Sequence, residues 1–397
     1  MSTSPLKFLW FLPTYGDSRY IVGGGHGLPA GVAGGARPAT LDYLGQIARS
    51  AEQLGYIGAL TPTGAWCEDA FIVDAMLAGV TKTFKFLVAL RPGLISPTLA
   101  AQMAASFQRY SNNRLLVNIV VGGEPHEQRA YADFSDKAGR YERADEFLHI
   151  VRELWVRPNV NFQGRFYQVE NATLPSRPEI APPLYIGGSS AGAGPVTAKH
   201  IDVYLTWGEP TPAVIEKITR IRALAAKTGR EVRFGIRLHV ITRDTAEAAW
   251  AEAERLLQAI DPETIQAVQA GLARSEGEGQ RRMLALHNGS KANLEIEPNL
   301  WAGFGLVRGG AGTALVGSHR EVAEKIKAYH AIGIDEFVLS GVPHLEEAYW
   351  FAEGVLPLLQ KDGLWSHPHA PARAEKSQVE VPFAPPATLR EPVAAAR

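Results

Sequence analysis

In the run RFGIRLHVIT (233–242), Arg237 and His239 stand two positions apart. On an extended strand that spacing puts both side chains on one face, with Ile236, Leu238 and Val240 on the other. A cation facing an apolar interior is costly unless it is paired or serves a ligand. The pair therefore reads as an internal salt bridge to an acid elsewhere, or as an anion pocket with a proton donor beside it. A second cation, Arg308, lies in NLWAGFGLVRGGAGTALVG (299–317), with no acid close in sequence. Glycine lets backbone approach a ligand closely, and a guanidinium presents five donors in a planar fork suited to oxyanions. The segment reads as a mobile loop that closes Arg308 over a small anion, or as a surface loop with a solvated arginine.

Energetics favour two cations over one. An ion pair at ~4 Å is worth about 4 kcal/mol at an effective dielectric of about 20, while stripping an anion of water costs several kcal/mol. One arginine barely breaks even; Arg237 and Arg308 together bind usefully.

Other residues sit where chemistry is possible. The Gly-Gly-Ser-Ser turn at 187–190 follows an apolar run and offers hydroxyls and backbone N–H groups to a phosphate, or caps a helix. GSSAG (188–192) also matches a nucleophile elbow around Ser190, which keeps a serine hydrolase as a rival. Tyr15, Cys67, Arg91, Asn118, Ser189, Trp207 and His344 all fall at or after the ends of apolar runs. Arg140 and Tyr141 open a helical pattern, where a phosphate could also find donors. HExxH, CxxC and P-loop spacings are absent, so no metal site is expected.

The elements that would position these residues are legible. Eight apolar runs read as strands: 7–12, 56–61, 84–90, 114–123, 183–188, 202–208, 233–242 and 336–341. Helical patterns follow each of them. Near-continuous apolar strands suit a parallel sheet buried on both faces. Eight strand–helix repeats favour a closed (β/α)8 TIM barrel, an α/β fold whose site lies at the C-terminal ends of the strands. Interruptions are expected at 22–36 after strand one, at 157–182 after helix four (with a small hairpin), and at 260–317 after helix seven. The barrel domain is expected to span 1–362, with a proline-rich C-terminal arm over 363–397.

Composition narrows the function. The formal net charge is −1 over 397 residues, so no basic field for nucleic acid is expected. The single cysteine, Cys67, cannot pair within the chain, which points to a reducing compartment. No apolar stretch reaches the ~18 residues of a membrane span. The expectation is a soluble cytoplasmic protein.

Several blocks carry a resemblance: LWFLPTYGD (9–17), TPTGAWCEDA (61–70), FLVALRP (86–92), LYIGGSS (184–190), DVYLTWGEP (202–210), RFGIRLHV (233–240), the 299–317 segment and SGVPHLEEAY (340–349). Together they make the chain similar to bacterial luciferase-like flavin monooxygenases, and within them to the FMNH2-dependent alkanesulfonate monooxygenases. The resemblance implies reduced FMN from a separate NAD(P)H-dependent flavin reductase, dioxygen as co-substrate, and an organosulfonate cleaved to sulfite and an aldehyde. It implies a sulfonate pocket of Arg237, His239, Arg308, Trp207 and His344. It places Cys67 near the flavin, with Asn118, Tyr141, Gly188 and Ser189 holding the ring and phosphate. It also implies a homodimer or homotetramer, whose C-terminal arm docks on a neighbour. Two positions depart from the pattern: Tyr15 replaces a common histidine and Val342 a common tyrosine. The tyrosine lost at Val342 and the 22–36 insert imply a wider mouth and a bulkier sulfonate such as sulfoquinovose. F420-dependent hydride transfer and a non-catalytic flavin- or anion-binding protein are the other readings.

Overall fold

The computed structural model describes residues 4–21 and 35–368. The insert expected at 22–36 and the arm at 363–397 lie largely outside the described residues.

Eight parallel strands close into a barrel: β1 (Lys7–Phe11), β2 (Gly58–Thr61), β3 (Lys85–Leu90), β4 (Leu115–Ile119), β5 (Leu184–Gly187), β6 (Val203–Trp207), β7 (Arg233–Arg243) and β8 (Glu336–Ser340). Each pairs with the next, and β8 returns to β1 through Lys7↔Glu336 to Leu9↔Val338. The expected α/β TIM barrel is the fold observed. Alternation along each strand sorts the side chains. Leu9, Leu87, Leu116, Tyr185, Leu205 and Val338 form an inner cluster, while Phe8, Trp10, Phe86 and Phe337 join the larger core under the helices.

Local chemistry sets where helices begin. Thr40, Asp69, Ser96 and Asp136 each cap a helix by accepting the backbone N–H three residues on, satisfying an otherwise orphaned donor. The hairpin expected within 157–182 is present as Val160–Gln163 against Gln168–Ala172.

The 299–317 segment corrects the expectation of a free loop. Leu300–Trp301 and Ala314–Ser318 are strands flanking a short 3-10 turn at Gly303–Leu306. Ala314–Ser318 runs parallel to the far end of β7, from Ala314↔His239 to Ser318↔Arg243. Trp301, Phe304, Leu306 and Val307 are buried in one apolar cluster. These anchors outweigh the freedom of the intervening glycines. Arg308 is thus not a solvated surface residue; it is 5% exposed. Among the described residues no helix is long and apolar enough to cross a membrane.

Candidate active site

A cleft of about 230 Å³ opens at the C-terminal ends of the strands. Arg237, His239, Arg308, Trp207, Asn118, Tyr141, Gly188 and Ser189 all line it. Cys67 and His344 do not; Trp66, next to Cys67 in sequence, lines it, as does Phe11, whose ring centre lies 5.8 Å from that of His344.

Register explains why Arg237 and His239 face inward. Arg237 lies beside Val338, and His239 beside Ser340, on β8. Arg237 donates to the carbonyl oxygen of Leu238 and, at 2.8 Å, to Ser340 Oγ. Its guanidinium rests 4.7 Å from the centre of the Phe11 ring. Burial, then the charge of Arg308, push it down to about 9, still cationic at neutral pH. Arg308 lies over the Tyr15 ring at 5.1 Å, and its buried Nε has no hydrogen-bond partner. Among the described residues neither arginine has an ion pair, so the internal salt bridge allowed by the sequence is not formed. Burial pushes the Tyr15 phenol up, and Arg308 and Arg237 oppose that rise.

His239 has no ring nitrogen to spare. Nε2 meets the Ala311 carbonyl at 3.1 Å, so it must carry the proton. Nδ1 then accepts from Ser340 Oγ at 2.7 Å. The ring stacks on Phe304, with centroids 4.0 Å apart and planes 5° off parallel. Burial, then Arg237 and Arg308, hold its value well below the ordinary range. His239 is neutral and ties the Arg308 segment to β7; the proton donor expected there is not free to act.

His344 is 2% exposed and bound to Asp17. Asp17 accepts from its Nδ1 at 3.0 Å and its backbone N–H at 2.8 Å. Asp17 and Ser340 carried no sequence signal for these roles. Asp17 lies 327 positions from its partner, and Ser340 is defined only by strand register.

At the opposite wall, Tyr204 donates to the Gly188 carbonyl at 2.6 Å, and Tyr141 and Ser190 share a hydrogen bond. Gly188 has φ +150°, a backbone conformation side chains rarely adopt. A Cβ at Gly192 would stand 2.6 Å from the Tyr141 ring; glycine there lets the ring pack onto the turn. Asn118 directs a buried, unpartnered Oδ1 from a cleft-lining position. Arg140 is engaged by Glu276 at 3.0 Å and Arg91 by Glu127 at 2.7 Å. Burial pushes the Cys67 thiol up to about 12, so it is a neutral packing group rather than a nucleophile. Among the described residues no histidine hydrogen-bonds Ser190, which removes the base a serine hydrolase needs.

The sequence matches the family model for luciferase-like monooxygenases over residues 6–336. The chain belongs to the luciferase-like monooxygenase family. Its barrel superposes on a riboflavin lyase (RcaE) solved with modified FMN and riboflavin, at 20% identity over 92% of this chain and 94% of that one, with TM-score 0.76. A long-chain alkane monooxygenase (LadA) is 17% identical over 94% of each chain, with TM-score 0.74. DmoA from Hyphomicrobium sulfonivorans is 19% identical over 93% of this chain and 91% of that one, with TM-score 0.74. An F420-dependent secondary alcohol dehydrogenase also shares this luciferase-like fold. At these identities the likeness is one of fold, and the choice of substrate rests on the side chains in the cleft.

Proposed function

We propose that the protein is an FMNH2- and dioxygen-dependent monooxygenase that desulfonates an organosulfonate, releasing sulfite and an aldehyde. One observation carries the reading: two buried guanidinium groups, Arg237 and Arg308, line a single cleft, and among the described residues neither forms an ion pair with a carboxylate. Like charges held together in a dry site favour an anion between them. A sulfonate suits the site because it stays ionised across the physiological range.

The residues present fit a flavin. Asn118 Oδ1 offers a buried acceptor without a partner, suited to a ring N–H. The Gly188–Ser189 turn and the Tyr141 hydroxyl present donors to a phosphate. When bound, reduced FMN supplies the activation of dioxygen. Arg237 and Arg308 hold the sulfonate, Trp207 walls its carbon chain, and His239 keeps the Arg308 segment in place. The buried setting keeps water from the reacting carbon. A separate NAD(P)H-dependent flavin reductase supplies the reduced cofactor, and the chain works as a homodimer or homotetramer in the cytoplasm.

Val342, where a tyrosine is common, favours a bulkier head, such as sulfoquinovose, over a plain alkyl chain. The test supplies FMN, a flavin reductase, NADH and oxygen, and measures sulfite from octanesulfonate, methanesulfonate and sulfoquinovose. Sulfite release is expected, fastest from sulfoquinovose; faster alkyl turnover overturns the substrate choice. Binding of reduced F420 in preference to reduced FMN, with no sulfite from any sulfonate, overturns the whole reading.

A further inference from the structure

Two buried glutamates stand three positions apart at the short helix Pro125–Ala130, and hydrogen-bond accounting separates them. Glu127 is spent within the chain. Its Oε1 accepts the Ala65 N–H at 2.7 Å, and its Oε2 accepts from Arg91 at 2.7 Å. Glu124 is different. It is 3% exposed and lines the cleft, and its buried Oε2 has no partner. Among the described residues nothing donates to its carboxyl or pairs with it.

The usual structural uses of such a residue are not made. Glu124 holds the N-cap position, where a side-chain oxygen commonly takes an orphaned N–H, yet it forms no capping bond. Gln128, four positions on, has a buried Nε2 without a partner, but that amide packs under the Gly122 turn, where a Cβ would stand 1.9 Å from it. Cations on adjoining elements are engaged elsewhere: Arg91 by Glu127, Arg140 by Glu276, and Lys137 by the Glu276 carbonyl. The neighbouring 275–277 segment spends its donors on the turn before Glu124 and on itself. The Glu276 N–H reaches the Gly123 carbonyl at 2.8 Å, the Ser275 hydroxyl reaches the same oxygen at 3.3 Å, and the Gly277 N–H reaches Ser275 Oγ at 3.1 Å.

A buried acceptor without a donor costs free energy. In a cleft, a ligand supplies the missing donor. A carboxyl group accepts from a hydroxyl whether or not it carries a proton. Under the proposed desulfonation, the reading on which this inference rests, hydroxyls arrive on the substrate and on the ribityl chain of the flavin. The groups assigned to the flavin stand on β4, just after β5 and on the helix Lys137–Val156. Glu124 opens a separate helix past the Gly122–Gly123 turn, which leaves it for the substrate.

We infer that Glu124 is a specificity-determining residue that accepts a hydrogen bond from a hydroxyl on the part of the sulfonate remote from sulfur, so that hydroxylated sulfonates are favoured over alkyl ones of the same shape. Affinity is read by anaerobic calorimetry on protein loaded with reduced FMN, so that nothing turns over. The probes are sulfoquinovose, cyclohexylmethanesulfonate (the same ring size and sulfonate without hydroxyls) and methyl glucopyranoside (the hydroxyls without the sulfonate). Wild type is expected to bind sulfoquinovose at least about tenfold more tightly than cyclohexylmethanesulfonate, well inside what a site built around a hydroxyl can discriminate. Glu124→Ala is expected to erase that preference, to bind cyclohexylmethanesulfonate at least as well as wild type, and to keep its affinity for FMN. If that variant does not fold, Glu124→Met, of similar length and without an oxygen, replaces it. Equal binding of the two ring sulfonates by wild type overturns the inference. So does a variant that loses affinity for both alike, the mark of a structural role. A variant that loses affinity for FMN with the preference intact also overturns it, because the hydroxyl held would then be the flavin's. Failure of the proposed function reads differently. If wild type binds neither sulfonate but binds the glucoside, and Glu124→Ala does not, desulfonation falls and the hydroxyl acceptor stands. Binding of none of the three overturns both.

Discussion

The two ends of the barrel treat buried charge in opposite ways. At the N-terminal end Glu336 is 1% exposed at its side chain and fully compensated. Lys7 reaches it at 3.4 Å, Arg233 pairs with it, and Tyr185 donates to it at 2.8 Å. At the C-terminal end Arg237 and Arg308 are also buried, and among the described residues neither has an ion pair. The first end satisfies its charges within the chain and holds the strands in register. The second leaves charge unsatisfied, which costs stability in the free protein and is repaid only when an anion arrives. A buried charge is informative about function when its partner is missing.

The largest expected effect comes from removing that charge. Arg237→Ala and Arg308→Ala should each lower kcat/KM for a sulfonate by about 100-fold or more, since truncating one side of a buried ion pair costs about 2–5 kcal/mol; steady-state sulfite assays read this. At the other end Glu336→Leu should leave turnover per folded molecule intact while lowering unfolding free energy by about 2 kcal/mol, as the hydrogen bonds to a charged group are lost; urea titration reads this. Arg237→Met sharpens the contrast. It should weaken anion binding about as much as Arg237→Ala yet raise ligand-free stability by about 1 kcal/mol, because a buried cation without an ion pair is replaced by an apolar chain; a drop in stability would mean that the hydrogen bonds of Arg237 within the protein already satisfy it.

A smaller effect concerns pH. Burial lowers His200 and His287 to about 4, and holds His239 well below its ordinary range. Below the ordinary histidine value the unfolded chain takes up protons that the folded chain refuses. Stability should therefore fall as pH drops from about 6.5 toward 4. His239→Gln, which keeps one donor and one acceptor, should make that decline shallower by one proton's worth; an unchanged slope in thermal melts across this range would show that His239 is not held neutral.

Much of this was legible in the sequence. Strand alternation put Arg237 and His239 on one inner face, and eight apolar runs gave the barrel. What was not legible depended on contacts between distant segments. Glycine content made 299–317 look mobile, but Trp301, Phe304 and Leu306 anchor it, and the Ala314–Ser318 strand depends on space beside the far half of β7. His239 looked like a proton donor until Ala311 and Ser340 were seen to occupy its nitrogens. Asp17 follows β1 in a short turn, and only barrel closure between β8 and β1 brings it to His344. Cys67, which the resemblance places near the flavin, is not in the cleft lining, where its neighbour Trp66 is.

The most direct test of the central claim is a calorimetric titration at neutral pH of octanesulfonate and of the matching neutral octyl methyl sulfone. Wild type should bind the sulfonate at least about 100-fold more tightly than the sulfone, and the Arg237→Ala, Arg308→Ala double variant should bind both equally. Equal binding of the two ligands by wild type would contradict the account.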